Sequence, residues 1–261
     1  MHKSLIVANL KMHFNVGDSS LYIHKLNKIL NPHRSVEVVI APSMLALQPL
    51  SLQIDRRKMH LAAQNAYSKD EGPYTGEVSF TMLSGLVDYV IIGHSERRIY
   101  FEESLDLIRD KVAAAVRNNI KPILCIGESK PEKQAGETKR VIHDQLATAI
   151  ADLTPEEVRK VTFVYEPVWA ITTFDGQPAK IQDVQKATDF MRYQISEICG
   201  PTVAREAPIL YGGSVDKETV SGYLALEGCN GALVGAASLE PESFAEIIDK
   251  AYLAEQTKKT L

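Results

Sequence analysis

Cysteine is scarce in this chain: Cys125, Cys199 and Cys229 stand alone among 261 residues. They are too few and too scattered for a disulfide framework. No Cys-x-x-Cys pair occurs, and the seven histidines fall at no zinc-like spacing with them. A reducing, cytoplasmic setting without a bound metal is the expectation. A basic excess is missing too. Lys plus Arg number 29 against 33 Asp plus Glu, a net charge of -4, so little is available to neutralise phosphates along a polymer. Neither nucleic acid nor an acidic membrane is an expected partner. A single phosphate is different, because a lysine and a few backbone N–H groups hold one. No apolar run is long enough to cross a membrane. Met1-His2-Lys3-Ser4 leads into a short apolar run that meets Asn9 and Lys11 too soon for a signal-peptide core. Linkers and low-complexity tracts are absent, which argues for a single domain over residues 1–261. A dinucleotide fold needs Gly-x-Gly-x-x-Gly after its first strand, and Lys11-Met12-His13-Phe14 stands there instead; a P-loop is also lacking.

What is present is a repeated pattern. Short apolar runs occur at Leu5-Leu10, Val36-Ala41, Met59-Ala63, Tyr89-Ile92, Pro122-Ile126, Val161-Tyr165, Pro208-Tyr211 and Ala232-Val234. Helical patterns lie between most of them. Leu21, Tyr22, Leu26, Ile29 and Leu30 make one apolar face after an Asp18-Ser19 cap signal. Leu105, Ile108, Val112, Ala115 and Val116 make a second; Val141, Leu146, Ile150 and Leu153 a third; Phe244, Ile247, Ile248 and Tyr252 a fourth. Strands alternating with helices read as parallel βα units, and eight units in roughly 250 residues is the size of a closed (β/α)8 barrel. In such a barrel, the carboxyl ends of the strands converge on one mouth.

The residues at those ends are chemically loaded. The first run ends Asn9-Leu10-Lys11, whose first and last members point the same way in extended chain. After the third comes Gln64-Asn65, then a long polar loop, Ser68 to Glu77, with Tyr67 and Tyr74 near its tip. Such a loop is either solvated or part of an interface. The fourth run ends Gly93-His94-Ser95-Glu96-Arg97-Arg98. Ser95 reads as a helix cap, so His94 lies by the positive end of a short helix, a field that keeps its ring neutral. The fifth ends Cys125-Ile126-Gly127-Glu128, with Cys125 read as core and Glu128 as supporting or surface. The sixth ends on a carboxylate, Glu166, followed by the stiff Pro167-Val168-Trp169 and a polar tract from Thr172 to Gln177. The seventh and eighth end in small residues, Gly212-Gly213-Ser214 and Gly235-Ala236, which leave backbone N–H groups open to a phosphate; tight turns alone also explain the glycines, but the pairing of two such successive strand ends favours the phosphate.

Taken together in order, these motifs closely resemble the triosephosphate isomerase family over nearly the whole chain. The resemblance implies the (β/α)8, or TIM, barrel and an aldose–ketose isomerase that needs no cofactor. Glu166 is then the base that moves a proton between the carbons flanking the carbonyl, and neutral His94 the electrophile that polarises its oxygens. Lys11 supplies positive charge, and Asn9 orients the substrate. Thr172, Ser214, Gly235 and Ala236 fall at the phosphate-holding positions. Residues 167 to 178 form a lid, with Ile171 and Leu233 as an apolar pair that clamps Glu166 and raises its basicity. Thr75 reaches into a neighbouring subunit's site, which implies a homodimer. The chain departs from the family pattern at Leu10, where a Trp is usual, at Ala236, and in the lid tip Thr172-Thr173-Phe174-Asp175-Gly176. Other readings are the same chemistry on a tetrulose phosphate, and a barrel that only binds a phosphorylated metabolite.

Overall fold

In the computed structural model, the described residues are 3 to 171 and 176 to 260. The backbone is a closed barrel of eight parallel strands: β1 (Ser4–Asn9), β2 (Val36–Ala41), β3 (His60–Ala63), β4 (Tyr89–Ile92), β5 (Lys121–Ile126), β6 (Thr162–Tyr165), β7 (Ile209–Tyr211) and β8 (Gly231–Val234). β1 closes the ring by pairing with both β2 and β8, with Leu5 opposite Gly231 and Val7 opposite Leu233. The expected strands differ from these by a residue at several ends. β1 stops at Asn9 rather than Leu10 because Lys11 turns left-handed, at φ 50°. Val161 falls before β6 because its N–H closes a turn onto the Val158 carbonyl.

Side-chain alternation sorts the apolar residues into two groups. Leu5, Val7, Val39, Ala41, Ala62, Ile91, Ile123, Cys125, Val164, Leu210 and Leu233 fill the barrel interior. Ile6, Ala8, Ile40, Val90, Leu124, Phe163 and Val234 face outward and meet the helices. Each fully buried Val, Leu or Ile contributes about 1.5–3 kcal/mol relative to exposure, so the mouth stands on a frame with many independent supports.

The first helix, Val16–Ile29, corrects one expectation. Its cap is Asn15, whose side chain accepts from the Asp18 N–H at 2.9 Å. Its buried face is Tyr22, Ile23 and Leu26, while Leu21 and Ile29 are exposed. Apolar spacing located the helix but placed its face too far round. The other three faces hold their expected residues inward, except that Leu105, Leu153 and Tyr252 are half-buried and Leu153 lies beyond the end of the helix Thr138–Ile150.

Candidate active site

Alternation inside the barrel explains how the mouth is furnished. The interior series Leu5, Val7 continues to Asn9, and Val164 continues to Glu166. Each next inward position rises past the apolar layers and meets the opening. A cavity of about 370 Å³ lies there, lined by Asn9, Lys11, His94, Glu166, Ile171, Ser214, Leu233, Gly235 and Ala236 among others. Residues from strands far apart in sequence thus share one chamber.

Glu166 is buried at 3% exposure, yet its oxygens are well satisfied. The Ser95 N–H donates to Oε2 at 3.1 Å, the Ser95 hydroxyl donates to Oε1 at 3.0 Å, and His94 Nε2 lies 2.9 Å from Oε1. Burial pushes this carboxyl up, but the His94 pairing and the Ser95 donors outweigh it and hold it below its ordinary value. In the observed pose, therefore, the carboxylate is stabilised.

His94 caps the helix Ser95–Tyr100, and its Nδ1 accepts from the Glu96 N–H at 3.3 Å. Ser95 is therefore not the cap; it is the first helical residue, and its donors are spent on Glu166. An acceptor at Nδ1 puts the ring proton on Nε2, the tautomer that also faces Glu166. Burial pushes the imidazole down, while Glu166 pushes it up and prevails in this pose. The rest of the polar cluster is fully employed. Lys11 Nζ lies 2.6 Å from Glu96 Oε1, Arg97 pairs with Glu103 at 2.5 Å, and Arg98 donates to the carbonyls of Gly93 and Cys125 at 2.7 and 2.9 Å. Cys125 is core, as expected; burial and the nearby Glu166 push its thiol up, so it stays protonated.

Asn9 and Lys11 do share the cavity, though not by extended geometry. The Lys11 N–H donates to Asn9 Oδ1 at 3.1 Å across a left-handed turn, and Gln64 Nε2 props that turn by donating to the Lys11 and Ala41 carbonyls, each at 2.8 Å. A non-glycine residue holds such a φ only where its surroundings enforce it.

Beyond Glu166, Pro167 is buried and a single turn runs Val168–Ala170. Trp169 Nε1 donates to Glu128 at 2.9 Å, and the Tyr165 hydroxyl donates to the same carboxylate at 3.1 and 3.2 Å. Glu128 is itself 1% exposed. Of the two expected roles, supporting or surface, it fills the supporting one, and its signal in the sequence is its place just past the end of a strand. Ile171 and Leu233 are both buried on the cavity wall. The Ser214 N–H and hydroxyl both donate to the Ala170 carbonyl, at 3.0 and 2.8 Å, so this residue joins the strand-seven loop to the turn that follows Glu166. Gly213 has a packing cause: a Cβ there would stand 2.1 Å from the Tyr211 hydroxyl oxygen. Gly235 and Ala236 open onto the cavity, whereas Thr75 is exposed on the long loop and is not among the lining residues. Thr172 and the lid tip through Asp175 lie outside the described residues.

Comparison with known proteins agrees with this arrangement. The triosephosphate isomerase family model matches residues 4–251. The triosephosphate isomerase of Dictyoglomus turgidum is 39% identical over 249 residues, covering 95% of this chain and 99% of that protein. Its counterpart in Aquifex aeolicus is 40% identical over 247 residues, covering 94% and 98%. That of Caldanaerobacter subterraneus is 38% identical over 250 residues, covering 95% and 100%. Matched over nearly its whole length in this way, the chain belongs to the triosephosphate isomerase family.

Proposed function

We propose that this chain interconverts dihydroxyacetone phosphate and D-glyceraldehyde 3-phosphate, with Glu166 as the base and His94 as the electrophile. The observation that carries the reading is the buried Glu166–His94 contact at 2.9 Å inside the cavity. Substrate displaces that contact. Glu166 gives up its Ser95 and His94 donors and turns toward Ile171 and Leu233, where apolar walls strip its solvation and raise its basicity. His94 Nε2–H is thereby released to face a carbonyl oxygen, and the carboxylate's upward pull on the ring leaves with it. The carboxylate takes a proton from one carbon of the enediolate-forming pair and returns it to the other. Lys11 balances the developing negative charge, and Asn9 fixes the substrate oxygens. Thr172, Ser214, Gly235 and Ala236 hold the phosphate, and residues 167 to 178 cover it, excluding water from a reactive intermediate.

Steady-state rates on triose and tetrulose phosphates test the reading. The triose pair is expected to turn over with kcat/KM within the ordinary enzyme span, about 10⁴–10⁸ M⁻¹ s⁻¹, and faster than the longer sugar. Preference for the tetrulose phosphate would move the substrate assignment, and binding without turnover of either would reduce the barrel to a binder.

The working unit is a homodimer. Exposed apolar side chains occur in the stretches that follow each of the first four strands: Met12, Leu45, Tyr74, Met82 of the short helix Phe80–Leu83, and Phe101. Those strands are neighbours in the ring, so the stretches that follow them share one side of the mouth, and an exposed apolar area of this kind marks an interface. Thr75 stands on the same side and reaches the partner's cavity. Sedimentation is expected to give twice the chain mass of 28.9 kDa, and Tyr74→Asp with Met82→Asp is expected to give monomers of reduced activity; a monomeric, fully active wild type would refute it. No helix among the described residues is long and apolar enough to cross a membrane, and the cytoplasm is the proposed location.

A further inference from the structure

We propose that Lys133 is a positioning residue for the chain segment just beyond Glu166, acting through the ring of Trp169; the inference rests on the isomerase reading above. The short helix Lys130–Gln134 follows β5 and is pinned at its start by a capping box. The Ser129 N–H donates to Glu132 Oε2 at 2.7 Å, and the Glu132 N–H donates back to the Ser129 hydroxyl at 3.4 Å. That places Lys133 in the last turn with little freedom. Its ammonium lies 3.3 Å from the centroid of the Trp169 ring and 2.8 Å from Asp183 Oδ2. Asp183 is in the first turn of the helix Ile181–Cys199, which begins just past the carboxyl end of the 167–178 segment.

Trp169 is thus gripped twice, at its edge by Glu128 and on its face by Lys133. A cation over an indole face is attracted by the ring quadrupole, most strongly where both are partly desolvated. Lys133 and Asp183 are each about a third exposed, at 34% and 36%. Trp169 sits between Glu166 and Ile171, so the orientation of its ring sets where the Ala170 carbonyl meets Ser214 and where Ile171 meets the cavity. The same ammonium ties this stem to the helix that receives the other end of the segment. Glu166 itself is anchored separately, by Ser95 and His94. Loss of Lys133 therefore leaves the resting base in place but makes ligand binding order a loosened stem; once bound ligand has ordered it, Ile171 stands against Glu166 as in the wild type, so affinity falls while proton transfer does not.

Trp169 is the only tryptophan in the chain, so the indole fluorescence comes from this ring and no other. An ammonium against an indole quenches its excited state by proton transfer, and Lys133→Met is expected to lengthen the Trp169 lifetime. The same variant is expected to raise KM and the Kd for phosphoglycolate about three- to tenfold, the size of one partly desolvated cation–π contact, with kcat changed less than about twofold. Lys133→Arg, which keeps the charge, restores the affinity. Asp183→Asn, which keeps the ammonium but removes its anchor, weakens binding in the same direction by less. An unchanged lifetime in Lys133→Met would show that the ammonium is not on the ring. Unchanged affinity in a folded Lys133→Met, equal loss in Lys133→Arg, or a loss confined to kcat would each overturn the positioning role. If Lys133→Met fails to fold, Asp183→Asn decides: wild-type affinity there overturns the proposal. Lifetime and phosphoglycolate affinity need no turnover, so a wild type that binds but does not isomerise would refute the function proposed above without touching this inference.

Discussion

Glu166→Gln lowers kcat on dihydroxyacetone phosphate by about 10³–10⁴-fold, near the upper end of what a positioned general base supplies. The structure says why no neighbour substitutes for it. Ser95, Cys125 and His94 surround the carboxylate, but Cys125 is held protonated and Ser95 is a donor. The amide also disturbs the resting site. Three donors converge on two carboxylate oxygens, and a glutamine offers one oxygen and an NH2 group. The Ser95 hydroxyl can reverse and accept from that NH2. His94 Nε2 cannot reverse without moving its proton to Nδ1, where the Glu96 N–H already donates. One donor is left facing another, at a cost of about 1–3 kcal/mol. Stability must therefore be measured beside rate. Glu166→Asp separates the two effects: it keeps the charge but withdraws it by one methylene, and a displacement of that order costs about 10²-fold in rate. The acid side carries a further sign. Because Glu166 titrates below its ordinary 4.5 in the folded protein, its contribution to stability is present above that pH and is lost as the pH falls through the folded value. Unfolding curves of the wild type and the glutamine variant are expected to converge on acidification. Turnover of Glu166→Gln within tenfold of the wild type would remove the base from the mechanism.

Sequence reasoning reached the site by a physical route that holds for some residues and not for others. Alternation is local, and in the barrel it holds for Val164 and Glu166 on one side of β6 and for Leu5, Val7 and Asn9 on one side of β1. For Lys11 the same rule gave the right chamber by the wrong geometry. A left-handed turn with a Gln64 prop replaces extended chain there, and that prop comes from 53 residues away. The polarity of the His94 cluster signalled purpose, but the division of labour within it depended on where Glu166 lies, a long-range fact. Glu128 shows the limit most plainly. Nothing near it in sequence marks it as buried, because Tyr165 and Trp169, which bury it, arrive from the next strand. The first helix misled for the same reason: spacing fixes a period, but the direction of the barrel decides which stripe faces it.

Gly127→Ala is expected to damage both the fold and the rate, although residue 127 touches no substrate and carries no side chain. A Cβ at this position would stand 2.1 Å from the Glu166 carbonyl oxygen, 2.5 Å from its carbon and 3.0 Å from the nitrogen of Pro167. These are backbone atoms, so no rotamer change relieves the clash. Gly127 cannot retreat either. Gln145 accepts from its N–H at 3.0 Å and donates to its carbonyl at 3.1 Å, while the Glu166 N–H is fastened to the Ile126 carbonyl at 2.7 Å. The added methyl must push the backbone of Glu166 and Pro167 away from β5. Overpacking of this kind costs about 1–3 kcal/mol, and a shift of about 1 Å in the base costs about 10²-fold in kcat. The cause can be isolated with Gln145→Ala, which releases the far side of Gly127. On its own that change removes two hydrogen bonds and is destabilising. In the Gly127→Ala background it lets the loop recoil, so the double variant should be more stable and more active than the sum of the two losses predicts. Strict additivity would mean that Gln145 does not brace the contact. Wild-type kcat in Gly127→Ala would mean that the base is not held in register by the backbone of its neighbouring strand.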